Sequence, residues 1–137
     1  MANLIQDFWI LADSGVVLFH RVYNKNLDAQ LFGGLMTALH TFAEQISKGG
    51  LSNFELNNKR FSVIKRNNFL FIADSSKDIK PKKILKELDI IATKFFKLYP
   101  PEVLDNFSGN VKTFLNFDKE IENSFQGTVK KFRNSFW

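Results

Sequence analysis

His20 and His40 are the only imidazoles in a chain of 137 residues, and cysteine is absent. No thiolate nucleophile, disulfide framework or cysteine zinc site is therefore open to it. His40 and Glu44 stand four residues apart, a spacing that puts two metal ligands on one side of a helix. On an exposed helical face such a pair is far more often a solvated polar pair. Ser47-Lys48-Gly49-Gly50 has the letters of a phosphate loop in the wrong order and at a helix end, where carbonyls repel phosphate. The Gly-x-Ser-x-Gly elbow, the P-loop and the dinucleotide fingerprint are all missing. These residues point to no catalytic group, no metal and no cofactor.

The charged residues carry more. Net charge is +5, and the excess lies in the C-terminal half, where Ser76–Trp137 has 12 basic and 8 acidic side chains. Its densest point is Lys77, Lys80, Lys82, Lys83 and Lys86. Three of these fall at the start of a predicted helix, where the dipole disfavours cations by about 0.3–1 kcal/mol each. The same segment is suited to an anionic membrane surface or an acidic partner, at about 1 kcal/mol per lysine near a membrane. Nucleic acid is a poor fit, because the nearby Phe95 and Phe96 fall on or beside a core stripe instead of an open face.

The elements that position these residues follow from periodicity. Asp28–Lys48 reads as a helix, capped by Asp28 and stopped by Gly49-Gly50. Leu31, Leu35, Leu39, Phe42 and Ile46 recur at the helical period and read as its core-facing stripe. Phe32, Met36 and Ala43 extend that stripe along one flank. Gln30, Gly33, Thr37, His40 and Glu44 lie opposite. Two glycines inside a helix cost about 1 kcal/mol each relative to alanine, so Gly33-Gly34 suggests close approach of a backbone.

Two apolar runs, Ile5–Ala12 and Val16–Tyr23, flank Asp13-Ser14-Gly15 and read as a hairpin. Leu51–Asn57, Arg60–Lys65 and Phe69–Ala73 follow as three more strands. Asp78 and Pro81 open a second long helix with Ile84, Leu88, Ile91, Ala92, Phe95 and Tyr99 inward. A last helical stretch runs from about Ser108. Three of the strands are apolar on both faces and read as central and covered on both sides, whereas Leu51–Asn57 alternates and reads as an edge. The predicted fold is α+β, a three-layer α/β/α sandwich. A five-stranded antiparallel sheet carries one helix on one face and two on the other, in the order β-β-α-β-β-β-α-α. A chain of this length with 45% apolar residues and 16 Phe builds one domain over residues 1–137. Its N-terminus lacks a signal peptide and no apolar run approaches the roughly 20 residues of a membrane helix. A cytoplasmic protein, peripheral to membranes at most, is expected.

The stretch Phe8-Trp9-Ile10-Leu11-Ala12-Asp13-Ser14-Gly15-Val16-Val17-Leu18-Phe19-His20-Arg21 resembles the first hairpin of the longin and roadblock superfamily, and Leu31-Phe32-Gly33-Gly34-Leu35 resembles the start of its first helix. The resemblance covers the element order of the whole chain but concentrates in Phe8–Phe42. It implies a non-catalytic interaction module, working as a homo- or heterodimer with small Ras-like GTPases or in membrane-trafficking complexes. The partner surface expected from the over-wide helix and its paired glycines comprises Phe32, Gly33, Gly34, Met36, Thr37, His40 and Ala43. The edge strand adds Asn53, Phe54, Glu55 and Leu56. A small-ligand sensor of PAS or profilin-like architecture is the alternative that the same element order allows.

Overall fold

The computed structural model describes residues 4–22, 28–100, 102, 104, 114 and 117–121. Its strands are β1 (Asp7–Leu11), β2 (Val17–Arg21), β3 (Asn53–Glu55), β4 (Lys59–Arg66) and β5 (Phe69–Ser76). The helices are α1 (Ala29–Ile46), α2 (Pro81–Leu98) and the short α3 (Phe117–Ile121). The strands form one antiparallel sheet in the order β2-β1-β5-β4-β3. Most of the final stretch, with Val111, Phe125, Phe132 and Phe136, lies outside the described residues.

Side chains alternate across the pleat and sort the core into two layers. Trp9, Leu11, Phe61, Val63, Leu70 and Ile72 point to the α1 side, where Met36 joins them. Phe8, Ile10, Phe71 and Ala73 point the other way, to Ile84, Leu88, Ile91, Ala92 and Phe95 of α2 and to Phe114, Phe117 and Ile121. β1 and β5 are central, as their two-sided apolar sequence predicts.

β2 is not central; it forms an edge. Its burial has another source. Val17 lies beneath α1, and Phe19 meets Phe117 edge-on at 5.5 Å. The Gln30 side chain then fills the vacant hydrogen-bonding edge, its Oε1 accepting from the Val17 N–H at 3.0 Å and its Nε2 donating to the Val17 carbonyl at 3.2 Å. An amide that mimics a neighbouring strand shields this edge from pairing.

Asp28 caps α1 by accepting from the Leu31 N–H at 3.1 Å. For α2 the expected Asp78 cap is not used. Lys80 occupies the N-cap position without a side-chain bond, and Pro81 follows it.

Candidate interaction surface

α1 lies on the sheet with the opposite face to the one its apolar period suggests. Gly33, Met36 and His40 are buried against the strands. The stripe Leu31, Leu35, Leu39, Phe42 and Ile46 points outward and is 40–73% exposed. The cause is the closeness of the helix to the hairpin below it. A Cβ on Gly33 would stand 2.6 Å from the Gly15 carbonyl oxygen and 2.6 Å from Cγ2 of Val17. Small and slender residues make the contact face because bulky ones would hold the helix off. Gly34, by contrast, has nothing within 4 Å of where a Cβ would be.

Several residues expected at a partner surface therefore belong to the protein's own core. Gly33 and Met36 are buried, and so is His40. Phe32 is half-buried and stacks on Trp9 with ring centroids 4.1 Å apart. Thr37 and Ala43 are half-buried too, and Thr37 sits over Gly15. His40 is no solvated ligand: its Nδ1 accepts from the Leu51 N–H at 3.3 Å and its Nε2 lies 3.5 Å from Glu44. That bond draws the chain after α1 tightly inward. A Cβ on Gly50, at φ +72°, would stand 2.6 Å from the imidazole. Glu44 turns to Lys65 at 3.2 Å. Among the described residues no group of three or more His, Asp or Glu side chains is gathered for a metal.

β3, with Leu56 just after it, holds the remaining residues expected at a partner surface. The Leu56 N–H donates to the Lys59 carbonyl and the Val63 N–H to the Ser52 carbonyl. In an antiparallel ladder this phase turns the backbone of Ser52, Phe54 and Leu56 toward β4 and that of Asn53 and Glu55 outward. Asn53, Glu55 and Leu56 are exposed, and Phe54 stacks on Phe61 with centroids 4.7 Å apart. Phe61 also meets Phe32 at 6.0 Å, so an aromatic row links the open strand edge to α1. The Arg60 guanidinium, 2.9 Å from Glu55, holds that carboxyl below its ordinary pKa.

A third feature escapes sequence reasoning. Asp7 and Asp74 face each other across β1 and β5, next to Lys59 of β4. The Asp7 N–H donates to Asp74 Oδ1 at 2.8 Å, and Lys59 Nζ lies 3.5 Å from Asp7 and 3.4 Å from Asp74. Burial first, and the Asp7 carboxyl second, push Asp74 up to about 7. Burial alone would lower Lys59, but the two carboxylates outweigh it and raise the ammonium pKa. The available signal was an aspartate near each end of the apolar runs Ile5–Ala12 and Phe69–Ala73. Only the register makes them neighbours.

A sheet of order β2-β1-β5-β4-β3 with α1 on one face and α2 on the other can now be compared with known proteins. The sequence profile of the first longin domain of FUZ, MON1 and HPS1 matches residues 6–120. This chain belongs to that longin family. No curated protein matches it. Among solved structures the longin chain is similar to Myxococcus xanthus MglB, at 13% identity and TM-score 0.54, over 68% of this chain and 77% of that one. It is equally similar to a Roadblock/LC7 domain from Streptomyces avermitilis, at 13% identity and TM-score 0.55, over 71% and 86%. At these identities the likeness is one of fold. It places the longin chain in the longin and roadblock architecture expected from its first hairpin and element order.

Proposed function

We propose that this longin chain is a non-catalytic interaction module. It dimerises through the outward stripe of α1 and the open edge of β3, and the paired surface engages a small Ras-like GTPase within a trafficking or signalling complex. The observation that carries the reading is the stripe Leu31, Leu35, Leu39, Phe42 and Ile46, exposed along the length of α1. Soluble monomers rarely expose a contiguous apolar patch of this kind, and such patches mark contact surfaces. Its spacing of four, four, three and four residues suits packing against a second helix. Gly34 and Ala38, exposed beside it, let backbones come close. The open edge of β3 lies on the same side of the molecule as the aromatic row under α1, so one approach covers both.

Sedimentation velocity of the pure chain tests the contact. A dimer is expected, and Leu35→Lys with Leu39→Lys gives a folded monomer. A wild type that stays monomeric at high concentration overturns a homodimer and leaves a second longin chain as the partner to try. Pull-down with Ras-like GTPases of the same genome, loaded with GDP or a GTP analogue, tests the second step. Binding that depends on nucleotide and is lost in the monomeric variant is expected. Uniform absence of binding overturns the GTPase assignment.

A further inference from the structure

The outer face of α2 goes beyond this reading, because it lies across the sheet from α1. At about 100° per residue, Lys82, Lys83, Lys86, Ile90, Thr93, Lys94 and Lys97 share the arc opposite the buried Ile84, Leu88, Ile91 and Phe95. Every one of them is exposed. No acidic side chain falls within this arc of roughly 120°. The two acids of α2 stand at its borders, and Asp89 is already paired with Arg66 at 3.2 Å. Lys77 is likewise engaged, at 3.4 Å from Glu55. Among the described residues Lys80, Lys82, Lys83, Lys86 and Lys97 show no acidic partner.

We infer that this arc is a docking face for an anionic lipid bilayer, onto which α2 lies with its axis along the surface. Three observations favour it. The first turn of α2 carries Lys82 and Lys83 with no acidic residue and no capping side chain, an arrangement that works against the helix dipole and so serves no purpose within the fold. All the charged residues of the arc are lysines, with no arginine among them. Flexible ammonium groups suit a diffuse sheet of charge, and the planar guanidinium suits a defined acidic group on a protein. Finally, Ile90 and Leu98 are 39% and 45% exposed, on and beside the arc, at the level where an interfacial helix meets the headgroups. Phe95 and Tyr99 are buried and Phe96 is half-buried, which leaves no open aromatic platform for a nucleic acid.

Cosedimentation of the full chain with vesicles of phosphatidylcholine alone, and of phosphatidylcholine mixed with phosphatidylserine, tests the assignment. Binding to the anionic vesicles only is expected, falling steeply with added salt. Each lysine at the surface is worth about five-fold in affinity, so Lys83→Glu with Lys86→Glu lowers binding well over ten-fold. Lys48→Glu, a single reversal at an exposed lysine just beyond α1, leaves it nearly unaltered. The exposed Leu39→Glu variant retains binding, which separates this result from the fate of the α1 contact. Equal loss per reversed lysine in the Lys48 and the paired α2 variants would reduce the effect to net charge and overturn the site. Failure to bind anionic vesicles, with capture by soluble polyglutamate instead, would also overturn it and assign the arc to an acidic protein.

Discussion

At the residue scale the sharpest constraint is the aspartate pair. Asp74 is 1% exposed, and its carboxyl faces Asp7, so the two cannot both ionise cheaply even with Lys59 beside them. The folded-state pKa of Asp74, about 7, stands above its ordinary 3.8. The folded protein therefore binds a proton that the unfolded chain has released between those values. The contribution to stability is complete below pH about 4 and is lost as the pH rises through about 7. Its size is on the order of a few kcal/mol. Asp74→Asn, whose amide oxygen can still accept from the Asp7 N–H, removes the titration. Urea unfolding across that window should give a stability for wild type that falls relative to the variant as pH rises. Parallel profiles would mean that Lys59 already holds both carboxylates ionised.

At the element scale α1 separates what the sequence discloses from what it conceals. Its existence and its Asp28 cap were legible, because they depend on local chemistry, whereas it ends at Ile46 with Ser47 as its C-cap, short of the expected stop at Gly49-Gly50. The five strands and the two-sided burial of β1 and β5, which alternation and composition decide, were legible too. Which face of α1 meets the sheet was not legible. Periodicity reports an apolar stripe but not what covers it, and a helix that packs by a glycine leaves its bulky face for something else. Of the residues expected at a partner surface, Gly33, Met36 and His40 thus face the sheet instead. β2 misled for a related reason: α1 covers Val17, and Phe117, far away in sequence, packs on Phe19. The two faces of α1 make a direct comparison. Met36→Ala should destabilise by about 2–5 kcal/mol in chemical denaturation, the cost of a core cavity. Leu39→Ala should change the stability of the isolated chain by no more than about 0.5 kcal/mol, as exposed positions do. The reverse order would restore the stripe to the core.

At the scale of the whole molecule, the layered fold restricts how two copies can meet. A two-fold axis normal to the sheet at the β3 edge joins the sheets into one and keeps both α1 helices on the same side. Both α2 helices then share the other side, so their lysine arcs face one plane. Because the outward backbone belongs to Asn53 and Glu55, antiparallel pairing sets Asn53 of one copy against Glu55 of the other. Phe54 then lies on the axis as a non-hydrogen-bonded pair, with Cα atoms about 4.5 Å apart. That separation falls within the range of a disulfide, about 4.4–6.8 Å, and the chain has no cysteine of its own. Phe54→Cys should therefore form a covalent dimer on mild oxidation. Glu55→Cys, which meets Asn53 instead of itself, should not. Loss of the Phe54–Phe61 stack will cost some stability, so the reduced variant is first compared with Phe54→Ala by thermal unfolding. Crosslinking at position 55 and not at 54 would displace the axis. A chain that dimerises in solution but crosslinks at neither position would hold its partner by α1 alone.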